Sequence, residues 1–301
     1  MSQDSVYICG CVMNCAKHIK KVFDNIHKIG GECFKNYHVL LFYDESSDNT
    51  LQLIHDEVSR LENAGDVGKM EVIINNQPTT PYRTKNIANG RNTLIQRVRS
   101  LNEELVVKGE IPWKYFIMID MDDVCSHPVN VSSLLKYITE PEYTTPDGKW
   151  KWDALSFNRR PYYDLWALSF DPFMFSVWHW NGCKTRTEPR DIVERSIQHI
   201  MKNIKQDELF YCSSAFNGFA IYKTDIFVNC IYEWNILHTR VTREQMDKSV
   251  AAFRTHNPRL TPYINNDKLE DCEHRSFHLE AIQRYGAKVA ISPLLLWDEP
   301  S

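Results

Sequence analysis

The chain has 301 residues, 43% of them hydrophobic and 25% charged, with a formal net charge of −4. That length can bury one large α/β core, and the slightly acidic balance excludes a general nucleic-acid binder, which needs a surplus of Lys and Arg. No segment approaches the ~20 consecutive apolar residues of a membrane span. The opening MSQDSVYICGCVMNC lacks an apolar stretch of signal-peptide length, so the expectation is a soluble, cytoplasmic protein with no membrane span.

In chain order, Val6 to Met13 is short, apolar and Cys-rich, the pattern of a first strand. Ile19, Val22, Phe23, Ile26 and Ile29 follow helical spacing, and Gly30-Gly31 is expected to close that helix. Tyr37 to Tyr43 reads as a second buried strand ending at Asp44-Glu-Ser-Ser-Asp48-Asn-Thr. Leu51, Ile54, Val58 and Leu61 give the next helix its apolar stripe. Met70 to Ile74 is a third strand, and Ile87, Leu94, Ile95, Val98 and Leu101 mark a long helix. Phe116 to Ile119 is an uninterrupted apolar run, typical of a strand buried on both faces. This alternation predicts a three-layer α/β sandwich with a mostly parallel central sheet. Glu140 to Gly148 is a turn-rich break. Beyond it come short strands near Ala154–Phe157 and Phe216–Tyr222, a helix near Ile192–Met201, and another beginning near Glu273. The nine cysteines are irregularly spaced. Cys9, Cys11 and Cys15 lie close together without a second pair at metal-site spacing, so reduced thiols are expected.

The most informative residues are Asp120, Met121, Asp122 and Asp123, directly after the fourth strand. In open α/β sheets ligands sit beyond the carboxyl ends of strands. Acids there form a hard oxygen site suited to Mg²⁺ or Mn²⁺. Like charges so close repel unless something positive lies between them, which disfavours a mere turn. Asp44 ends the second strand and can accept from a nucleobase N–H or a ribose hydroxyl, whereas Ser47 and Asp48 suit helix capping. Arg83 and Arg91, eight apart, can share a helix face toward a diphosphate near the helix start; Lys85 is better read as solvated. In Glu270-Asp271-Cys272-Glu273-His274, three acids lead two histidines, His274 and His278, onto one helix face. A carboxylate there, Asp271 or Glu273, is placed to take a proton from a hydroxyl, although helix starts favour acids anyway. Asn217-Gly218 is either a turn or a point of close ligand approach. The aromatic stretch Trp166 to Trp180 either lines a sugar subsite or packs a core.

In their order along the chain these residues resemble a glycosyltransferase of the GT-A fold. The D-x-S-S-D-N-T string, the Arg91-Asn92 pair, and Asn217-Gly218 with Cys272-Glu273-His274 are similar to the capsule-associated mannosyltransferase (CAP59-like) group and related enzymes of large DNA viruses. The resemblance implies a single catalytic domain over 1–301, with a Rossmann-like nucleotide-binding half at 1–125 and an acceptor-binding half at 126–301. It implies a metal-dependent transfer of a hexose or pentose from a nucleoside-diphosphate sugar, UDP favoured and GDP open, to a hydroxyl of a glycan or glycoprotein acceptor. Asp120 and Asp122, with His274 or else His278 as a late ligand, would hold Mn²⁺ or Mg²⁺. Asp44, Arg83, Arg91 and Asn92, with the Asp120-Met121-Asp122 segment, would bind the donor. Asp271 or Glu273 would be the base of an inverting reaction. Two alternatives stand beside this: a sugar-phosphate nucleotidyltransferase, whose Gly-rich phosphate loop is missing after the first strand, and a non-catalytic carbohydrate-binding protein, which would not need the acids.

Overall fold

The structure, a computed structural model, describes residues 1–144, 146, 150–264 and 268–298. In the first part β1 (Ser5–Val12) leads to α1 (Ile19–Cys33), β2 (Asn36–Tyr43) to α2 (Thr50–Asn63), and β3 (Met70–Ile74) to α3 (Arg83–Val107), ahead of β4 (Tyr115–Ile119). Then follow α4 (Val131–Thr139), β5 (Ala154–Asn158), β6 (Trp180–Asn181), α5 (Glu188–Asn203) and β7 (Phe210–Cys212). The chain continues through β8 (Phe219–Lys223), α6 (Thr224–Phe227), α7 (Arg243–His256), β9 (Thr261–Pro262), α8 (Glu273–Tyr285) and β10 (Val289–Leu295). The turn-rich break expected over 140–148 falls partly on residues 145, 147 and 148, outside the described residues; before them stands a 3-10 turn at Pro141–Tyr143.

One eight-stranded sheet runs in the order β3-β2-β1-β4-β8-β5-β10-β7. β1 pairs parallel with β2 and β4, β2 with β3, and β5 with β10. β8 is antiparallel to both β4 and β5, and β7 is antiparallel to β10 at the edge. Since β4 and β5 both oppose β8, they point the same way. The carboxyl ends of β1, β2, β4, β5 and β10 therefore share one rim, as the expected mostly parallel sheet requires.

Side chains of β1 alternate between two cores. Val6 and Ile8 pack with Ile19, Val22 and Ile26 of α1 and with Ile54 of α2. Tyr7 and Cys9 pack with Leu94, Ile95 and Val98 of α3 and Phe277 of α8. Helices on both faces thus make the three layers, and each fully buried Ile, Leu or Phe contributes ~1.5–3 kcal/mol. Contrary to expectation, Gly30-Gly31 does not end α1, which runs on to Cys33. Gly30 faces β2: a Cβ there would lie 2.3 Å from the Tyr37 ring. This glycine permits helix–sheet contact rather than a stop. The Trp166 to Trp180 stretch is resolved toward packing, with Phe170, Phe173, Phe175 and Trp180 in a third core with Phe253 of α7. All nine cysteines are free thiols, and no described helix is long and apolar enough to cross a membrane.

Candidate functional site at the sheet rim

A cleft of about 510 Å³ opens where β1, β2 and β4 end. From β1 the chain winds outward to β2 and β3 on one side, then returns to place β4 on the other. The cleft therefore lies at a topological switch point, where two crossovers diverge and leave a crevice. Asp44, Arg83, Arg91, Asp120, Met121 and Asp122 all line it. Met121 is buried and forms part of the floor; a Cβ on Gly10 of β1 would come within 2.6 Å of its Sδ, so the glycine makes room for it.

The backbone N–H of Asp120 donates to the Gly218 carbonyl at 2.9 Å. Its Oδ1 accepts from Arg91 Nη2 at 3.1 Å, and the side chain is 23% exposed. Asp122 Oδ1 accepts from the Val124 N–H at 3.1 Å and starts a 3-10 turn at Asp123–Cys125. Burial pushes the Asp120 carboxyl up to about 7; Arg91 opposes this, while Asp122, Asp164 and Glu273 add to it. Burial also raises Asp122, against the pull of the Val124 N–H. A cation between the two carboxyls would favour their ionised forms against that burial. Among the described residues, the second oxygen of each carboxylate accepts no hydrogen bond. Two half-used carboxylates beside a cleft are a hard-oxygen donor set that fits Mg²⁺ or Mn²⁺, ions commonly held by one or two carboxylates plus substrate phosphates. No group of three or more His, Cys, Asp or Glu able to hold a metal occurs among the described residues, so the protein's own contribution stops at this pair.

Asp44 is buried at the end of β2, and its Oδ1 accepts from Glu45 N and Asn75 Nδ2, both at 3.0 Å. Arg83 is exposed at the first position of α3. The α3 start is tied down by Glu270, whose Oε1 accepts from Thr84 N and Thr84 Oγ1, each at 3.0 Å. Asp48 takes the structural role open to it, accepting from Thr50 and Ala16.

Other expected site residues are enclosed or lie off the cleft. Arg91 borders the cleft but is buried, clasped by Asp120, Glu273 and His274, with its guanidinium 4.7 Å from the Phe216 ring centre. Burial alone would lower its pKa, yet Glu273 and Asp120 raise it, so it is a fixed cation. Asn92 does not reach the cleft: its side chain exchanges two 2.9 Å hydrogen bonds with the Tyr232 backbone. His274 and His278 share a face of α8, as their spacing predicts, with rings stacked at 5.6 Å. His274 is enclosed between Phe216 and Arg91 and does not line the cleft, so the structure does not bring it to Asp120 and Asp122 as a third ligand. Burial keeps His274 well below its ordinary range and lowers His278 to about 3. Asp271 and Glu273 are likewise buried off the cleft wall. Asp271 holds Arg275 Nε at 2.9 Å and Glu273 holds Arg91. The cause is orientation: the start of α8 is turned inward, Glu273 toward Arg91 of α3 and Asp271 toward Arg275, itself held by the carbonyls of Trp166, Leu168 and Met174.

The sequence marked Asn217-Gly218 as a turn or a point of close approach but not what it holds, and it did not mark Arg159 at all. Asn217, with φ 59°, precedes Gly218, with φ 86°. Its Oδ1 accepts from the Tyr163 and Asp164 N–H groups at 3.1 and 3.0 Å, while Nδ2 donates to Phe157 O at 2.8 Å. This clamp brings the loop after β5 beside the acids, where Asp164 is felt by Asp120 and the half-exposed Tyr163 by Asp120, Asp122 and Arg83. The second is Arg159, whose Nε and Nη2 donate to Asn217 O and Val124 O at 3.1 and 2.6 Å. The Asn-Gly pair was the one available signal.

No family model matches the chain, and no curated protein matches it in sequence. Among solved structures it is similar to S. aureus TarS residues 1–349, at 11% identity and a TM-score of 0.38, over 88% of this chain and 59% of that one. It is also similar to the mannosyltransferase PcManGT from Pyrobaculum calidifontis in complex with GDP-Man and Mn²⁺, at 11% identity and a TM-score of 0.45, over 93% of this chain and 70% of that one. A third is glucosyl-3-phosphoglycerate synthase from Mycobacterium tuberculosis with Mn²⁺, UDP and phosphoglyceric acid, at 10% identity and a TM-score of 0.36, over 74% and 57%. The chain spans 59% of the 1–349 TarS structure and 36% of the longer TarS structure. These likenesses are distant.

Proposed function

We propose that the protein is a metal-dependent glycosyltransferase of the GT-A fold, moving a hexose or pentose from a nucleoside-diphosphate sugar to a hydroxyl of a glycan or glycoprotein. The supporting observation is one juxtaposition: Asp120 and Asp122, each with an uncommitted oxygen, share a switch-point cleft with Asp44 and Arg83. In this reading residues 1–125 supply the donor side and 126–301 the acceptor side of one continuous sheet. Asp44 accepts from the base or ribose, with UDP favoured and GDP open. Arg83, at the N-terminus of α3, meets the diphosphate, where helix N–H groups add their partial positive charge. Asp120 and Asp122 hold Mn²⁺ or Mg²⁺, which when bound neutralises charge on the departing diphosphate as a Lewis acid. Arg91 fixes the carboxylate of Asp120, and Glu273 fixes Arg91, so Glu273 acts as a positioning residue through a buried ion chain. Within this class we place the chain nearest the capsule-associated mannosyltransferases and their viral counterparts, on the D-x-S-S-D-N-T string and the Arg91-Asn92 pair.

A thermal-shift panel of nucleoside diphosphates with and without Mn²⁺ tests this. A ligand at ~100 times its Kd stabilises the native state by about 2.7 kcal/mol. One nucleoside diphosphate is expected to raise Tm only when Mn²⁺ is present. Equal shifts from every nucleotide, or none, would remove the donor assignment. Pyrophosphate released from a sugar phosphate and a nucleoside triphosphate would instead identify a nucleotidyltransferase.

A further inference from the structure

A sugar transfer that inverts configuration needs a group to take the acceptor's proton. Asp271 and Glu273, the acids expected in that role, are 2% and 3% exposed and are held by Arg275 and Arg91. The loop after β5 carries another carboxylate. Asp164 is partly exposed, and its Oδ1 accepts from the Ala167 N–H at 3.0 Å. Among the described residues its second oxygen accepts no hydrogen bond and the side chain forms no ion pair.

Two linked hydrogen bonds fix Asp164 beside the acids. The Asp120 N–H donates to the Gly218 carbonyl at 2.9 Å, and Asn217, one residue earlier, accepts from the Asp164 N–H at 3.0 Å. Asp164 therefore lies on the β8 side of Asp120, near enough for its charge to push the Asp120 carboxyl up. Among the described residues no three acids, cysteines or histidines gather closely enough to hold a metal. Asp164 thus stands beside the Asp120–Asp122 pair without joining it. The groups around it are Asp120 after β4, Arg91 of α3, Cys272, Glu273 and Arg275 at the start of α8, and Tyr162 and Tyr163 of its own loop. Burial raises the Asp164 carboxyl, against the Ala167 N–H, Arg91 and Arg275. A carboxyl raised in this way is a stronger base. Tyr163 next to it is 48% exposed, and its phenol feels Asp120 and Asp122 from one wall of the cleft and Arg83 from the other.

The sheet order sets the direction of a bound donor. Asp44 follows β2 and Asp120 follows β4, two strands and about 10 Å apart at the usual spacing. Asn217 and Gly218 enter β8, the next strand on. A donor with its nucleoside at Asp44 and its diphosphate at the acids points its sugar toward β8, where Asp164 is held. We propose that Asp164 is the catalytic base and that the transfer inverts configuration. This assignment rests on the transferase reading. The acceptor oxygen bonds to the anomeric carbon while its proton passes to an Asp164 oxygen. The anomeric C–O bond breaks, and its electron pair leaves on the diphosphate.

The test uses water as acceptor. Wild type and Asp164→Asn, as full chains with Mn²⁺, are given the α-linked donors UDP-glucose, UDP-galactose, UDP-N-acetylglucosamine, UDP-xylose and GDP-mannose, and the released sugar is followed by proton NMR. Asparagine keeps the oxygen that accepts from Ala167, so the Mn²⁺-dependent nucleotide shift is expected to survive in the variant. The wild type is expected to release the β-anomer first. In Asp164→Asn kcat is expected to fall about 10²–10⁴-fold with the donor KM changed only a few-fold. Release of the α-anomer first, no release although the nucleotide shift is present, or an unchanged kcat in the variant would each overturn the assignment. So would loss of the shift in Asp164→Asn, which would make Asp164 a structural or donor-holding group. A rate lost in Asp123→Asn and kept in Asp164→Asn would move the role to Asp123. Absence of the nucleotide shift from wild type is a separate result: it would defeat the transferase reading itself.

Discussion

Two sets of carboxylates meet near Arg91, and they differ in what their oxygens do. Asp120 and Asp122 follow β4 at the cleft, and each keeps one oxygen without a hydrogen bond among the described residues. Asp271 and Glu273 open α8, where each is held by an arginine and both are buried. In the sequence both sets are short acidic clusters beside apolar runs. What separates them is access: a carboxylate facing a cleft can take up a cation or a ligand, while one enclosed with an arginine mainly fixes geometry.

The largest expected effect comes from breaking the enclosed set. Arg275 is fully buried, donating to Asp271 Nε–Oδ2 at 2.9 Å, to the Trp166 carbonyl at 2.6 Å and to Leu168 and Met174 carbonyls. Arg275→Met, which leaves Asp271 unpaired in the interior, is expected to cost about 3–5 kcal/mol. Urea denaturation measures it, and a loss below about 1 kcal/mol would mean the pair is not closed off from water. Next is the open set. Asp122→Ala is expected to cost about 1 kcal/mol or less for the lost Val124 N–H bond but to abolish the Mn²⁺-dependent nucleotide shift, worth about 2.7 kcal/mol at ~100 times Kd. An Asp122→Ala variant that loses several kcal/mol of stability yet keeps the Mn²⁺-dependent shift would reverse the roles of the two sets.

A pH series sharpens the same contrast. His274 and His278 sit neutral in the enclosed region, and both resist protonation in the fold. Below the ordinary value of 6.5 the unfolded chain binds protons that the folded one refuses. Stability contributed by these groups is therefore present above that value and is lost as pH falls, for His278 down to about 3. The expected slope is about 1.4 kcal/mol per pH unit for each histidine. His278→Gln should flatten it by roughly that amount; an unchanged slope would mean that His278 titrates normally. The smallest effect is at the junction of the sets. Glu270→Ala removes the carboxylate that accepts from the first turn of α3, and is expected to cost about 1 kcal/mol by analogy with helix caps. Stability and nucleotide affinity in that variant report whether the α3 start must be held for Arg83 to serve the cleft.

The first half was legible because a parallel strand under helices leaves a plain trace. Phe116 to Ile119 is apolar without interruption, since both of its faces are covered. Later elements leave fainter traces. α7 buries only Ser249 and Phe253, too few to show an apolar stripe. β10 carries Pro293 and a register shift between Ser292 and Leu295, where proline argues against a strand. At the site, Asp44, Asp120 and Asp122 could be read from their positions at strand ends, because strand ends locate the rim. Arg83 could be read from the helix start. Arg91, Asn92, Asp271, Glu273 and His274 could not be sorted this way. Whether a helical side chain meets solvent or a partner depends on how α3 and α8 pack against each other, and no local spacing encodes that.

The most direct measurement is the titration of Mn²⁺ into the protein with and without the nucleoside diphosphate that stabilises it, in wild type and Asp122→Ala. If Asp120 and Asp122 supply only part of a coordination shell, Mn²⁺ binds tightly only when the diphosphate completes it, and the variant loses that coupling. Mn²⁺ affinity indifferent to the nucleotide, or undiminished in Asp122→Ala, would contradict the placement of the metal and the donor in this cleft.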